Sequence, residues 1–88
     1  MILESKIQAK LIKEYEAMGY YVIKLIKTNK NGIPDLICLK DGKAFFVEVK
    51  SEKGKVAPLQ KFRHKELLKF GFETIVLGKT FDNLKRIN

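Results

Sequence analysis

The tetrapeptide Lys40-Asp41-Gly42-Lys43 constrains this chain more than any other feature. Asp-Gly between two runs of alternating residues marks a two-residue type I′ hairpin turn, which needs positive φ at both central positions. A turn at Asp41 and Gly42 fixes the register of the flanking strands. Lys40 then faces Lys43, Leu39 faces Ala44, Ile37 faces Phe46 and Asp35 faces Glu48. Side chains alternate along a strand, so Lys50 shares the face of Glu48. Phe45, Val47 and Val49 point to the other face and are candidates for the core, as is Cys38 on the strand face opposite Asp35.

The rest of the chain arranges itself around this hairpin. Leu3, Ile7, Leu11, Tyr15 and Met18 recur at spacings of four and three, one apolar stripe that predicts a helix over residues 3–18, ended by Gly19. The aromatic and β-branched run at residues 20–26 predicts a strand, with Tyr20 and Tyr21 as sheet residues. Residues 28–34 form a polar loop ending in Pro34. The hairpin strands occupy residues 35–39 and 44–50, followed by a lysine-rich loop at 51–57. Pro58 suits the first turn of a second helix, which Gly71 ends. His64, the only histidine, falls mid-helix and is expected on its surface. Residues 73–77 read as a further strand, and Thr80 caps a last helix to about residue 87. The order α-β-β-β-α-β-α predicts an α/β (α+β) domain, a small mixed sheet flanked by helices, over residues 1–88.

Two opposed carboxylates are the part of this plan that stability does not explain. Directly opposed Cβ atoms lie about 4.5–5.5 Å apart. At an effective dielectric of about 20, two charges at that distance repel by roughly 3 kcal/mol. A divalent cation reverses the sign, and hard oxygen donors suit Mg²⁺ or Mn²⁺. Lys50 would partly offset the repulsion without metal. It would also hold a water or stabilise charge building on phosphorus. The simpler alternative is a solvated polar strand face on which Lys50 bridges two surface acids.

The charge of the chain points to a polyanionic partner. Eighteen Lys and Arg against ten Asp and Glu leave a formal +8, for which nucleic acid is the commonest match and an anionic membrane surface the rival. The single cysteine excludes an intramolecular disulfide, and no Cys/His cluster suggests zinc. Glu4, Lys6, Gln8 and Lys10 interrupt the N-terminus, so no signal peptide is expected there. No run reaches transmembrane length. The expectation is a cytoplasmic protein of prokaryotic or phage origin.

Pro34-Asp35 followed by Glu48-Val49-Lys50 resembles the PD-(D/E)xK nuclease signature. The longer string Gly32-Ile33-Pro34-Asp35-Leu36-Ile37, with Val47-Glu48-Val49-Lys50 and Gln60, is similar to the VRR-NUC branch of that superfamily. The resemblance runs over about residues 4–72. It implies a restriction-endonuclease-like core and a metal-dependent DNA endonuclease using Mg²⁺ or Mn²⁺. It implies that Asp35, Glu48 and the Val49 carbonyl bind the ion. Glu4 on the first helix would complete the set. Lys50 is implied to serve the attacking water or the transition state, and Gln60 matches the family's glutamine. Two plainer roles compete: Glu4 as an acid favoured in a helix's first turn, and Gln60 as a cap for free backbone N–H groups.

Lys27 and Lys30 before the acids, and Lys53 and Lys55 after them, are placed to contact phosphates on either side of a scissile bond. No base-reading helix is evident, and the resemblance points to branched DNA such as flaps or four-way junctions. A homodimer would supply two sites for a junction, with Ile2, Ile12, Phe81 and Ile87 as the apolar residues spare for an interface. The competing reading is a non-catalytic nucleic-acid-binding module with a nuclease-like fold.

Overall fold

A computed structural model describes residues 3–51 and 54–78. Helix α1 spans Glu4–Ala17, β1 Tyr21–Lys24, β2 Leu36–Lys40, β3 Lys43–Val49, α2 Pro58–Lys69 and β4 Thr74–Leu77. The last helix expected from the sequence lies outside the described residues, as do Ile2, Lys53, Phe81 and Ile87.

The hairpin has the expected turn and register. Asp41 and Gly42 take φ of 53° and 75°, as type I′ requires. Leu36 pairs with Val47, Ile37 with Phe46, Leu39 with Ala44 and Lys40 with Lys43. One more step along that ladder sets Asp35 beside Glu48. β1 adds antiparallel to the free side of β2. The backbone N–H of Leu25 donates to the carbonyl of Asp35 at 2.8 Å, which prolongs this pairing to the start of the site. β4 joins β3 in parallel, because the chain crosses over through α2 before returning. The sheet order is β1-β2-β3-β4.

The core fills the space between α1 and one face of the sheet. Ile7 and Leu11 of α1 meet Leu36 and Cys38 of β2, Val47 and Val49 of β3, and Ile75 and Leu77 of β4. These are the alternate positions that the register predicts. Burial alone pushes the Cys38 thiol up to about 11, so it behaves as a small apolar group. Tyr15, Tyr20 and Phe45 close one end of the core with three edge-to-face contacts, their centroids 5.4–5.6 Å apart. Ile12 also packs against this core, so it is not the spare interface residue that the sequence suggested.

Both helices end in the same device. The amide after each terminal glycine returns to the carbonyl five residues earlier, Tyr20 to Tyr15 and Phe72 to Leu67, at 3.1 and 3.0 Å. These bonds satisfy orphan helix carbonyls and turn the chain into the next strand. The Lys40 ammonium donates to the Met18 carbonyl at 2.7 Å and lies 5.0 Å from the Tyr20 ring centroid, which ties the hairpin end to the end of α1. Helix α2 crosses the other face of the sheet and buries none of its residues fully. Its role is therefore read from the polar groups it brings to β3.

Candidate active site

Glu48 is the second-to-last residue of β3, on the face that α2 covers, and it is 1% exposed. A carboxyl held there is not on the solvated strand face that the pattern of polar residues allowed. The sequence places it by alternation: with Val47 and Val49 in the core, Glu48 must enter the layer between β3 and α2. Burial first, and then the neighbouring Asp35 carboxyl, push its pKa up to about 8, with Lys50 opposing. The Lys50 Nζ lies 3.7 Å from Glu48 Oε2.

Asp35 is fixed from the opposite strand. Its Oδ2 accepts the Val49 amide at 2.7 Å. That bond holds the aspartate across the hairpin. The approach to Asp35 is equally constrained. Pro34 is buried, and Gly32, at φ +82°, lies beneath Leu59 of α2. A Cβ on Gly32 would stand 2.8 Å from Leu59 Cγ, so only glycine permits this approach. Arg63, one turn further along α2, donates its Nε–H to the Asn31 carbonyl at 2.7 Å and pairs with Glu66 at 2.9 Å.

Gln60 fills both roles open to it. Its Oε1 accepts the Ala57 amide at 2.8 Å, which caps the start of α2. Its Nε2 donates to Glu48 Oε2 at 3.2 Å. One side chain thus anchors the helix and orients the acid. Glu4 is placed at the other edge of the site. Its Oε2 accepts the Ser51 amide at 3.1 Å, fastening the first turn of α1 to the chain just after Lys50. Among the described residues no three of His, Cys, Asp and Glu converge closely enough to enclose an ion. The converged protein donors are the two carboxylates. That number fits Mg²⁺, which is held by one or two carboxylates and keeps several waters.

His64 is the residue beside the candidate site that sequence reasoning missed. Its mid-helix position suggests the helix surface, yet its Nε2 lies 3.6 Å from Glu48 Oε1 and its side chain is only 17% exposed. Burial, and then the charge of Lys50, lower its pKa, so the ring favours the neutral form. A signal for it exists in the spacing: His64 stands four residues after Gln60, and such residues share a helix face.

Lys27, Lys30 and Lys55 are exposed on the two loops beside the acids. Among the described residues no helix is long and apolar enough to cross a membrane.

Three comparisons bear on this site. The family model of the VRR-NUC domain matches residues 2–79. The protein named "Putative nuclease p44" of Acyrthosiphon pisum secondary endosymbiont phage 1 is 35% identical over 78 residues, covering 88% of this chain and 84% of that protein. A solved structure described as a VRR_NUC domain superposes with a TM-score of 0.78 at 34% identity, covering 92% of this chain and 88% of its own.

Proposed function

The chain belongs to the VRR-NUC family and is a nuclease, and from that premise we propose that it hydrolyses DNA phosphodiester bonds with Mg²⁺ or Mn²⁺ held by Asp35 and Glu48. The observation that carries this reading is the buried Glu48, lifted to about 8 beside a second carboxyl, in a chain of formal charge +8. Such a pair destabilises an empty site and has a use once a cation neutralises it. The Val49 carbonyl and Glu4 are the further ligands proposed, Glu4 through its position beside Ser51 at the mouth of the site.

When bound, the ion supplies Lewis-acid stabilisation of the phosphate and lowers the pKa of a coordinated water. The chain's own residues supply the remaining functions. Asp35 and Glu48 present hard oxygen donors whose directions are set by the Val49 amide and by Gln60. Lys50 extends past Glu48, where its ammonium would orient the attacking water and meet charge developing on the phosphoryl oxygens. Lys27, Lys30, Lys53 and Lys55 would bind backbone phosphates on either side. Contacts of that kind carry no sequence code, so we assign the enzyme a structural preference, for flaps or four-way junctions, with a homodimer serving paired incisions.

The test is incubation of the purified protein with linear, flap and four-way-junction DNA in Mg²⁺, Mn²⁺ or EDTA. Cleavage is expected only with metal, greater on the branched substrates, and lost in Asp35→Ala, Glu48→Ala and Lys50→Ala. Undiminished cleavage in EDTA would refute the metal reading. Equal rates on all three substrates would refute the branched-DNA preference.

A further inference from the structure

Each oxygen of Glu48 meets a different side of the site. Oε2 receives the Gln60 amide at 3.2 Å and faces the Lys50 ammonium at 3.7 Å. Oε1 faces His64 Nε2 at 3.6 Å. Among the described residues neither of these last two atoms has a closer hydrogen-bond partner, and both are buried. Leaving a buried polar atom unsatisfied is costly, so two such atoms aimed at one another are more than a packing coincidence.

Crowding does not force the ring there. On its other side His64 borders a groove of about 640 Å³ between α2 and β4, lined also by Val56, Leu68, Thr74 and Val76. A ring with that much room could turn away from the carboxylate. It instead lies against Glu48, on the same helix face as Gln60.

We infer that His64 is a positioning residue of the metal site: its Nε2–H steadies Glu48 Oε1 while Gln60 holds Oε2, so that one helix face fixes both oxygens of the acid. The inference rests on the metal-dependent nuclease reading. His64 acts through Glu48 and touches neither the DNA nor the reacting water. A partner that orients a ligating group typically raises metal affinity about 10–100-fold.

Direct ligation by the imidazole would leave a different signature. Imidazole nitrogen favours Mn²⁺ over Mg²⁺, whereas a residue that only orients a carboxylate changes both affinities alike.

The experiment uses the 88-residue chain without DNA, and measures Mg²⁺ and Mn²⁺ binding by titration calorimetry and metal-free melting by circular dichroism. The variants are His64→Leu, which removes the donor, and His64→Gln, whose amide nitrogen reaches a similar position. Expected for His64→Leu is a drop of about 10–100-fold in affinity for both ions. His64→Gln, which is the more conservative for folding, should stay close to wild type. In the cleavage assay His64→Gln should recover the metal concentration needed for half-maximal rate. Wild-type affinity in folded His64→Leu would overturn the inference and leave the nuclease reading standing. So would a His64→Gln variant that is folded but binds as weakly as His64→Leu. A drop confined to Mn²⁺ would replace positioning by direct ligation. Absence of any metal binding by the wild type would overturn both this inference and the metal reading beneath it.

Discussion

Replacing Glu48 with glutamine should make the metal-free protein more stable at alkaline pH and leave it little changed at acid pH. The cause is the raised pKa of Glu48. Its ordinary value of 4.5 rises to about 8 in the fold, chiefly through burial. A raised carboxyl pKa contributes stability that is fully present below the unfolded value. That stability is lost as pH rises through the folded value. The gap corresponds to roughly 5 kcal/mol at about 1.4 kcal/mol per tenfold change, and about 3 kcal/mol of it has gone by pH 7. Glu48 is 1% exposed, so solvent screens little of this. A domain of this size has a total stability of about 4–13 kcal/mol, so a loss of this size would be a large part of it. Glutamine keeps the shape and the acceptor for Gln60 but cannot ionise. Urea unfolding of wild type and Glu48→Gln in EDTA, from about pH 4 to pH 9, gives the difference directly, since titrations common to both proteins cancel. Glu48→Gln should lead by several kcal/mol at about pH 8.5, with the lead shrinking toward zero near the ordinary value of 4.5. Adding Mg²⁺ at the alkaline end should stabilise wild type far more than the variant. Parallel pH profiles would refute the reasoning, because they would mean that Glu48 ionises as readily in the fold as in the unfolded chain.

Gly32→Ala should lose about 1–3 kcal/mol in a melting or denaturant assay, since it combines a positive φ with a contact against Leu59. The companion Leu59→Ala should recover part of this stability if the crowding is its cause. Charge reversal of Lys27, Lys30 and Lys55 to glutamate should weaken DNA binding similarly for all sequences. The salt dependence should also flatten by roughly 0.9 in logarithmic slope for each phosphate that is no longer neutralised, measured by fluorescence anisotropy across salt concentrations. Light scattering across a dilution series, with and without junction DNA, should find a two-fold assembly if the homodimer reading holds. The interface would have to use exposed residues other than Ile12, Phe62 and Phe70 of the α2 region among them.

What the sequence makes legible is what local chemistry decides. Asp41-Gly42 admits one tight turn, and from it the pairing of Ile37 with Phe46 follows without any knowledge of the fold. The core residues follow in turn, because alternation from that register puts Leu36, Cys38, Val47 and Val49 on one side. The two carboxylates are legible for the same reason. What alternation cannot say is that the polar side of β3 is also covered. That depends on α2, whose weak apolar periodicity gives no face to bury. Its placement comes from the crossover that makes β4 parallel to β3. The burial of Glu48, and the meeting of His64 with its second oxygen, therefore belong to topology. Glu4 stands out by its helix position, but its contact with the Ser51 amide joins residues 47 positions apart, a distance over which spacing carries no information.

The grip of α2 explains how a chain of 88 residues keeps so unfavourable a pair of acids in place. Leu59 seats on Gly32 and Arg63 holds the Asn31 carbonyl, which fixes the loop leading into Asp35. Gln60 and His64, from the same helix, address Glu48. Two consecutive turns of one helix thus set the approach to one carboxylate and the orientation of the other. On the sheet side, the Val49 amide holds Asp35 across the hairpin. The acids cannot relieve their repulsion by drifting apart without breaking contacts to both α2 and β3. The remaining escapes are protonation, which the raised pKa of Glu48 expresses, and a cation. On this reading metal binding and proton release are coupled at Glu48, and the rigidity that makes the empty site costly is also what would hold its oxygens ready for the ion.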